Sequence, residues 1–223
     1  MSIEVRFRIL KDPVSAATHF AGFVAAVVGL VFLVVSSAHD PPKVTAMAIY
    51  GCTLVALFLA SALYHFLDVG ERGNRWLKRV DHVAIFLLIA GTYVPALLHL
   101  LDGPWRVAML SAVGSLALAG VLLKIVWIGC PDWLSTALYL ALGWIVVIPA
   151  HRMVQRLPPG SMAWLFAGGA AYTVGAIIDV VRRPHPWPPA FGHHEIFHMF
   201  VLVGAAAHYF FVVRLLEVAV PPF

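Results

Sequence analysis

His194-Glu195-Ile196-Phe197-His198 spells H-E-x-x-H, a pattern in which two histidines four apart bind zinc and the glutamate acts as general base. Two further groups of the same chemical kind stand upstream: Ser61 with His65, again four apart, and a single acid, Asp81. Residues four apart lie on one helical face, so His194 and His198 can present two imidazoles to one ion. His65 then makes a three-histidine set, which leaves a fourth position for water, the arrangement of a catalytic zinc site. Zn2+ lowers the pKa of such a water to about 7 and makes a hydroxide nucleophile at neutral pH. Asp81 is suited to hold or deprotonate that water. Ser61, one turn before His65, can donate a hydrogen bond beside the ligands. Each has a plainer alternative: Asp81 as a helix N-cap, Ser61 bonded back to its own backbone.

The elements that must position these groups are unusually apolar. The chain has 223 residues, 61% of them hydrophobic and 12% charged, with a mean hydropathy of +0.89. Soluble domains carry roughly 25% charge, so this chain cannot cover an aqueous surface. Seven apolar runs follow one another, at about 14–36, 44–66, 81–100, 105–127, 133–150, 162–181 and 194–216. Most have the length of about 20 residues that spans some 30 Å of hydrocarbon as a helix. Between them stand "HDPPK", "LDGPW", "GCPDW", "RLPPGS" and "RRPHPWPP", Pro-rich or Gly-rich breakers too short to hold a soluble domain. The runs do not alternate with period two, as barrel strands do. The expected fold is all-α: a polytopic membrane protein, a single seven-transmembrane helix bundle over residues 1–223.

Basic residues set the expected orientation. Arg6, Arg8, Lys11, Arg72, Arg75, Lys78, Arg79, Lys124, Arg182 and Arg183 fall on the side of the N-terminus. Lys43, Arg106, Arg152, Arg156 and Arg214 fall on the other. The positive-inside rule places the N-terminus in the cytosol and the C-terminus outside, with Met1 to about Lys11 a cytosolic lead-in to a plasma or bacterial inner membrane protein. The basic residues form no stripe interleaved with aromatics, which speaks against nucleic acid. Cys52 and Cys130 suggest neither a disulfide nor a thiolate cluster. The topology brings Ser61, His65, Asp81, His194 and His198 to one depth on the cytosolic side, where polar residues within membrane helices mark a functional cavity. His82 and His193 point about 100° away from their neighbours and are expected around the site. His208, about 15 Å deeper than His198, is expected to make a buried hydrogen bond. His39, His99 and His151 fall on the opposite side, and Asp179 is an unassigned acid near the cytosolic end of the sixth run.

The stretches "SALYHF", "RVDHVAIFLLIAGTYVP" and "HHEIFHMFVLVGAAAHYF" resemble the haemolysin III branch of the progestin and adipoQ receptor superfamily, over nearly the whole chain from "SAATHFAG" to "AAHYF". The resemblance implies a seven-helix fold with zinc near the cytosolic face. It implies His65, His194 and His198 as ligands, Asp81 on the zinc-bound water and Ser61 beside it. For the related receptors it implies lipid-amide hydrolysis of the ceramidase type, so a membrane lipid is the expected substrate. A relative can carry Gln where Glu195 stands, which makes the glutamate of H-E-x-x-H incidental.

Two other readings compete with the hydrolase. An intramembrane metalloprotease would use Glu195 as base and an L-D-G aspartate as third ligand. "LDG" occurs at Leu101–Gly103, but on the opposite face in this topology. A non-catalytic, receptor-like protein would hold a structural zinc, yet structural sites are closed by four protein ligands and a fourth strong ligand is not evident.

Overall fold

The computed structural model describes residues 11–188 and 190–221, which fold into a bundle of α-helices. The helices are α1 (Pro13–Ser36), α2 (Pro41–Phe66), α3 (Gly70–Leu100), α4 (Gly103–Val126), α5 (Asp132–Trp144), a short α6 (Ala150–Met153), α7 (Ser161–Val181) and α8 (His193–Arg214). Among the described residues the only β pairing is a single bridge between Trp187 and Phe191. The lead-in before Lys11, with Arg6 and Arg8, lies outside the described residues.

Among the described residues six helices are long and apolar enough to cross a bilayer: α1, α2, α3, α4, α7, and α8 with the 3₁₀ turn that extends it to Glu217. Their ends fall close to the apolar runs, with two informative departures. The third helix begins at Gly70, eleven residues before the expected start at Asp81. The charged stretch "GERGNRWLKR" continues the helix beyond the apolar run, because Leu77 is buried and Asp68 anchors the first turn. Its Oδ1 accepts from Gly70 N at 3.3 Å and from Asn74 Nδ2 at 2.8 Å. Asp81 therefore sits three turns inside α3 and is no N-cap.

The fifth run, expected over 133–150, is a shorter apolar helix over Asp132–Val147. Pro149 lacks an N–H and its ring opposes the carbonyl four residues back, so the α-helix ends at Trp144 and tightens into a 3₁₀ turn over Ile145–Val147. Tyr93 of α3 takes up the freed backbone groups. Its hydroxyl lies 2.9 Å from Leu142 O and 2.7 Å from Gly143 O and accepts from Val146 N at 2.8 Å. Such compensation is required wherever a helix breaks in an apolar medium.

Small residues let the helices approach. Gly22 and Gly29, seven apart on α1, sit beneath Phe58 and Tyr209, while Gly168 and Gly175 of α7 face His208 and Phe200 of α8. A Cβ at Gly168 would fall 2.1 Å from the His208 ring, so the glycine is what admits that histidine. Close approach through small residues is how helices associate in lipid. Large apolar side chains such as Val28, Val107, Leu118 and Val126 remain exposed on the outside of the bundle. In water such a surface would aggregate; in lipid it is the contact with the acyl chains.

Candidate metal centre

Five elements converge at one end of the bundle: the N-termini of α1 and α8, the C-termini of α2 and α7, and the third turn of α3. A backbone hydrogen bond from Asp12 N to His65 O, 2.9 Å, ties the start of α1 to the end of α2. Here the i, i+4 pair His194 and His198 meets His65. The ring centroids are 4.6 Å apart for His194–His198, 4.7 Å for His65–His198 and 5.2 Å for His65–His194. Each ring offers one nitrogen, and the three nitrogens lie within 4.8 Å of one another. The corresponding edge of a zinc–histidine tetrahedron is about 3.3 Å, so a small inward rotation of the rings would close the set on one ion.

The remaining nitrogens support this use. His65 donates Nδ1–H to Asp12 Oδ2 at 3.0 Å, and His194 donates Nδ1–H to Asp179 Oδ1 at 3.0 Å. A carboxylate on Nδ1 fixes the tautomer, turns the other nitrogen into the site and makes it a better ligand, as metal-binding histidines require. The hydrogen bond with His65 in turn holds the Asp12 carboxyl below the usual carboxylate range. Whatever this contact adds to stability is complete above about pH 4, the ordinary aspartate value, and is lost as the pH falls further, through the lowered folded value. His198 is buried, and its Nδ1 has no hydrogen-bond partner, an orphan that a metal-bound arrangement of the rings can relieve. The three residues thus fit a metal ion. Replacing Asp12 or Asp179 with Asn is expected to weaken zinc affinity by roughly 10–100-fold without unfolding the protein, measured by competition with a fluorescent chelator.

Ser61 and Asp81 are both buried and line the same cavity as the histidines. Ser61 Oγ shares a 2.8 Å hydrogen bond with His19 Nδ1 of α1, and His19 stacks on His198 with ring centroids 3.9 Å apart. Ser61 therefore reaches the histidine cluster through His19. Asp81 Oδ2 lies 3.5 Å from His82 Nδ1. His19 and Asp12 did not emerge as site residues from the sequence. A signal for His19 was available, since Ser15 and His19 repeat on the first run the four-residue spacing of Ser61 and His65. Asp179, unassigned before, joins His194.

The other histidines fall as the spacings suggest. His208 donates Nε2–H to Leu165 O at 3.1 Å, deeper in the bundle, and His193 lies 3.8 Å from Asp179. Glu195 faces away from the ligands: its Oε2 accepts from Gly192 N at 2.7 Å, capping α8, and Oε1 accepts from Ser15 at 3.4 Å. Asp102 is paired with Arg156, and α3 carries it roughly 30 Å from Asp81, so the H-E-x-x-H and L-D-G groups do not assemble. Glu195→Gln, which can still cap, is expected to leave metal content unchanged. Glu195→Ala should cost about 1 kcal/mol of stability, seen as a lower melting temperature in detergent.

The three histidines line a cavity of about 520 Å³ together with, among others, Ser61, Asp81, Ser135, Tyr139, His208 and Phe211. That volume is within the range of small-molecule sites, about 300–1,000 Å³.

Comparison with known proteins places this geometry in context. The family described as "Haemolysin-III related" matches residues 7–209. The chain is 35% identical over 206 residues to a "Hemolysin-3 homolog" of Bacillus subtilis (strain 168), covering 92% of this chain and 93% of that one. It is 32% identical to "Hemolysin-3" of Bacillus cereus, over 91% of this chain and 90% of that one. More distantly, it is 26% identical to the "Adiponectin receptor protein" of Drosophila melanogaster, over 91% of this chain and 50% of the receptor.

Proposed function

The chain belongs to the haemolysin-III-related family of multi-pass cell-membrane proteins, and from that membership and its histidine cluster we propose that it is a zinc-dependent hydrolase of a membrane lipid's amide bond, ceramidase-like in its chemistry. The observation that carries the reading is the triad His65, His194 and His198, two of its members held by carboxylates, in the wall of a cavity that Asp81 also lines. These three residues would hold the zinc. When bound, the ion supplies Lewis acidity that activates water and polarises a carbonyl.

The chain's own residues account for the rest. Asp81 is a buried carboxylate in the cavity, suited to take a proton from the attacking water and return it to the departing amine. The water oxygen joins the carbonyl carbon, the C–N bond breaks, and the products are a carboxylic acid and an amine. Asp12 and Asp179 hold two imidazoles in place, while Ser61 and His19 brace the third from the side of α1. Apolar cavity walls exclude bulk water and accept an acyl chain.

In this reading all seven apolar helices cross the membrane, α5 as a short span, with the N-terminus cytosolic and the cluster in the inner leaflet. The basic residues Arg72, Arg75, Lys78 and Arg79, on the first turns of α3, support that orientation. A substrate would then arrive sideways from the bilayer. The test is release of labelled fatty acid from a panel of lipid amides by purified protein, with and without a zinc chelator. Chelator-sensitive turnover supports the hydrolase. Bound zinc with no turnover across the panel overturns it in favour of a non-catalytic zinc protein.

A further inference from the structure

Outside the histidine cluster, Lys124 is a buried basic residue with no carboxylate partner among the described residues. Lys124, on the last turn of α4, is 1% exposed. Lysines near a membrane helix end ordinarily extend their ammonium to the interface; this one turns inward. Its Nζ donates to Ser135 Oγ at 2.5 Å and to Cys130 Sγ at 3.3 Å, and among the described residues no carboxylate pairs with it. An ammonium has three donors, and a buried charge without an opposite charge is costly to hold. An ionisable group retained at that cost inside a membrane protein marks a functional site.

Ser135 connects this charge to the cavity. It lies on the first turn of α5 and lines the same cavity as the metal centre, whereas Lys124 stands behind it. Tyr139, one turn further along α5, also lines the cavity and donates to His82 O at 3.3 Å, next to Asp81. Because the lysine donates to Oγ, the Ser135 proton must point elsewhere. Cys130 Sγ lies 3.2 Å away, where either group can be the donor, and a thiol is a weak partner. The backbone acceptor, Pro131 O, is at the outer limit of a hydrogen bond, 3.5 Å. A hydroxyl polarised by a donor on its oxygen is a stronger donor itself, and the nearby positive charge favours an oxyanion over a neutral acceptor.

We propose that Ser135, backed by Lys124, is an anion-binding subsite in the cavity wall, and that it receives the anionic head of a single-chain acyl amide whose amide lies at the histidine cluster. The proposal rests on the hydrolase reading for the position of the amide, and it narrows the substrate class to amides bearing a carboxylate or similar oxyanion. The cavity supplies the apolar wall for the chain, the cluster the reacting end, and Ser135 the fixed point for the charge.

The experiment measures binding of N-palmitoylglycine and of its uncharged methyl ester to protein stripped of metal by a chelator. Without metal the carboxylate cannot bind the ion and nothing is turned over, so failure here leaves the hydrolase reading standing, and failure of hydrolysis leaves this result intact. The acid is expected to bind about tenfold more tightly than the ester, a difference of about 1.4 kcal/mol. Lys124→Met and Ser135→Ala should each bring the ratio close to one while the ester's affinity, the check on folding, stays unchanged. Equal binding of acid and ester to the wild type, or a preference that survives both substitutions, overturns the subsite. Displacement of N-palmitoylglycine by sodium acetate at similar concentration overturns its assignment to a lipid.

Discussion

Alanine in place of His65, His194 or His198 is expected to lower zinc affinity by well over 100-fold and to abolish hydrolysis in each case. The magnitude follows from position. Loss of a group that merely orients a ligand costs roughly 10–100-fold, and loss of the ligand itself must cost more. The three variants should behave alike although the residues differ in surroundings: His65 and His198 are buried, and His194 is half-buried. A separate effect distinguishes His198. It packs against His19 and has an unpartnered Nδ1, so His198→Ala removes a buried polar atom and opens a gap next to α1. Its melting temperature in the metal-free state should therefore change differently from that of His194→Ala. Metal content by mass spectrometry and lipid-amide turnover check the shared effect. Retention of full zinc in any of the three variants would remove that residue from the ligand set.

Asp81→Asn is expected to keep zinc at the wild-type level and lose about 10²–10⁴-fold in turnover, the usual contribution of a positioned general acid or base. Asn matches Asp in shape, so the buried site on α3 is not emptied, but it cannot exchange a proton. The separation of the two readouts is the informative feature. A ligand substitution removes metal and activity together, whereas Asp81→Asn removes activity alone. Equal loss of metal would make Asp81 a fourth ligand and the site a closed, structural one. Ser61→Ala should fall between: it breaks the hydrogen bond to His19 and leaves a buried imidazole nitrogen unpaired, which costs about 1–3 kcal/mol of stability with a smaller effect on turnover.

The histidine cluster was legible in the sequence because it obeys helical spacing. His194 and His198 had to share a face, and the alternating direction of the apolar runs brought His65 to the same end. What escaped was the contribution of α1. Ser15 and His19 repeat the four-residue spacing of Ser61 and His65, but neither Asp12 nor His19 is isolated in the middle of a span, so they read as an ordinary helix start. Their role depends on α1 packing against both α2 and α8, which is tertiary information. The early start of α3 was missed for a related reason: charged residues ended the apolar run but not the helix, because helix formation needs good backbone propensity and a few buried contacts rather than continuous hydrophobicity. The break in α5 was visible as Pro149, but its consequence depended on Tyr93 being within reach to satisfy the freed backbone groups. The burial of Lys124 was invisible, since a lysine at the end of an apolar run reads as an interfacial charge until its burial is known.

The most direct test of the zinc-dependent account is the metal content of protein purified in detergent and dialysed against zinc. About one zinc per chain is the predicted result. A folded wild-type protein that retains none would contradict the hydrolase, and the buried histidines would then be a hydrogen-bonding network.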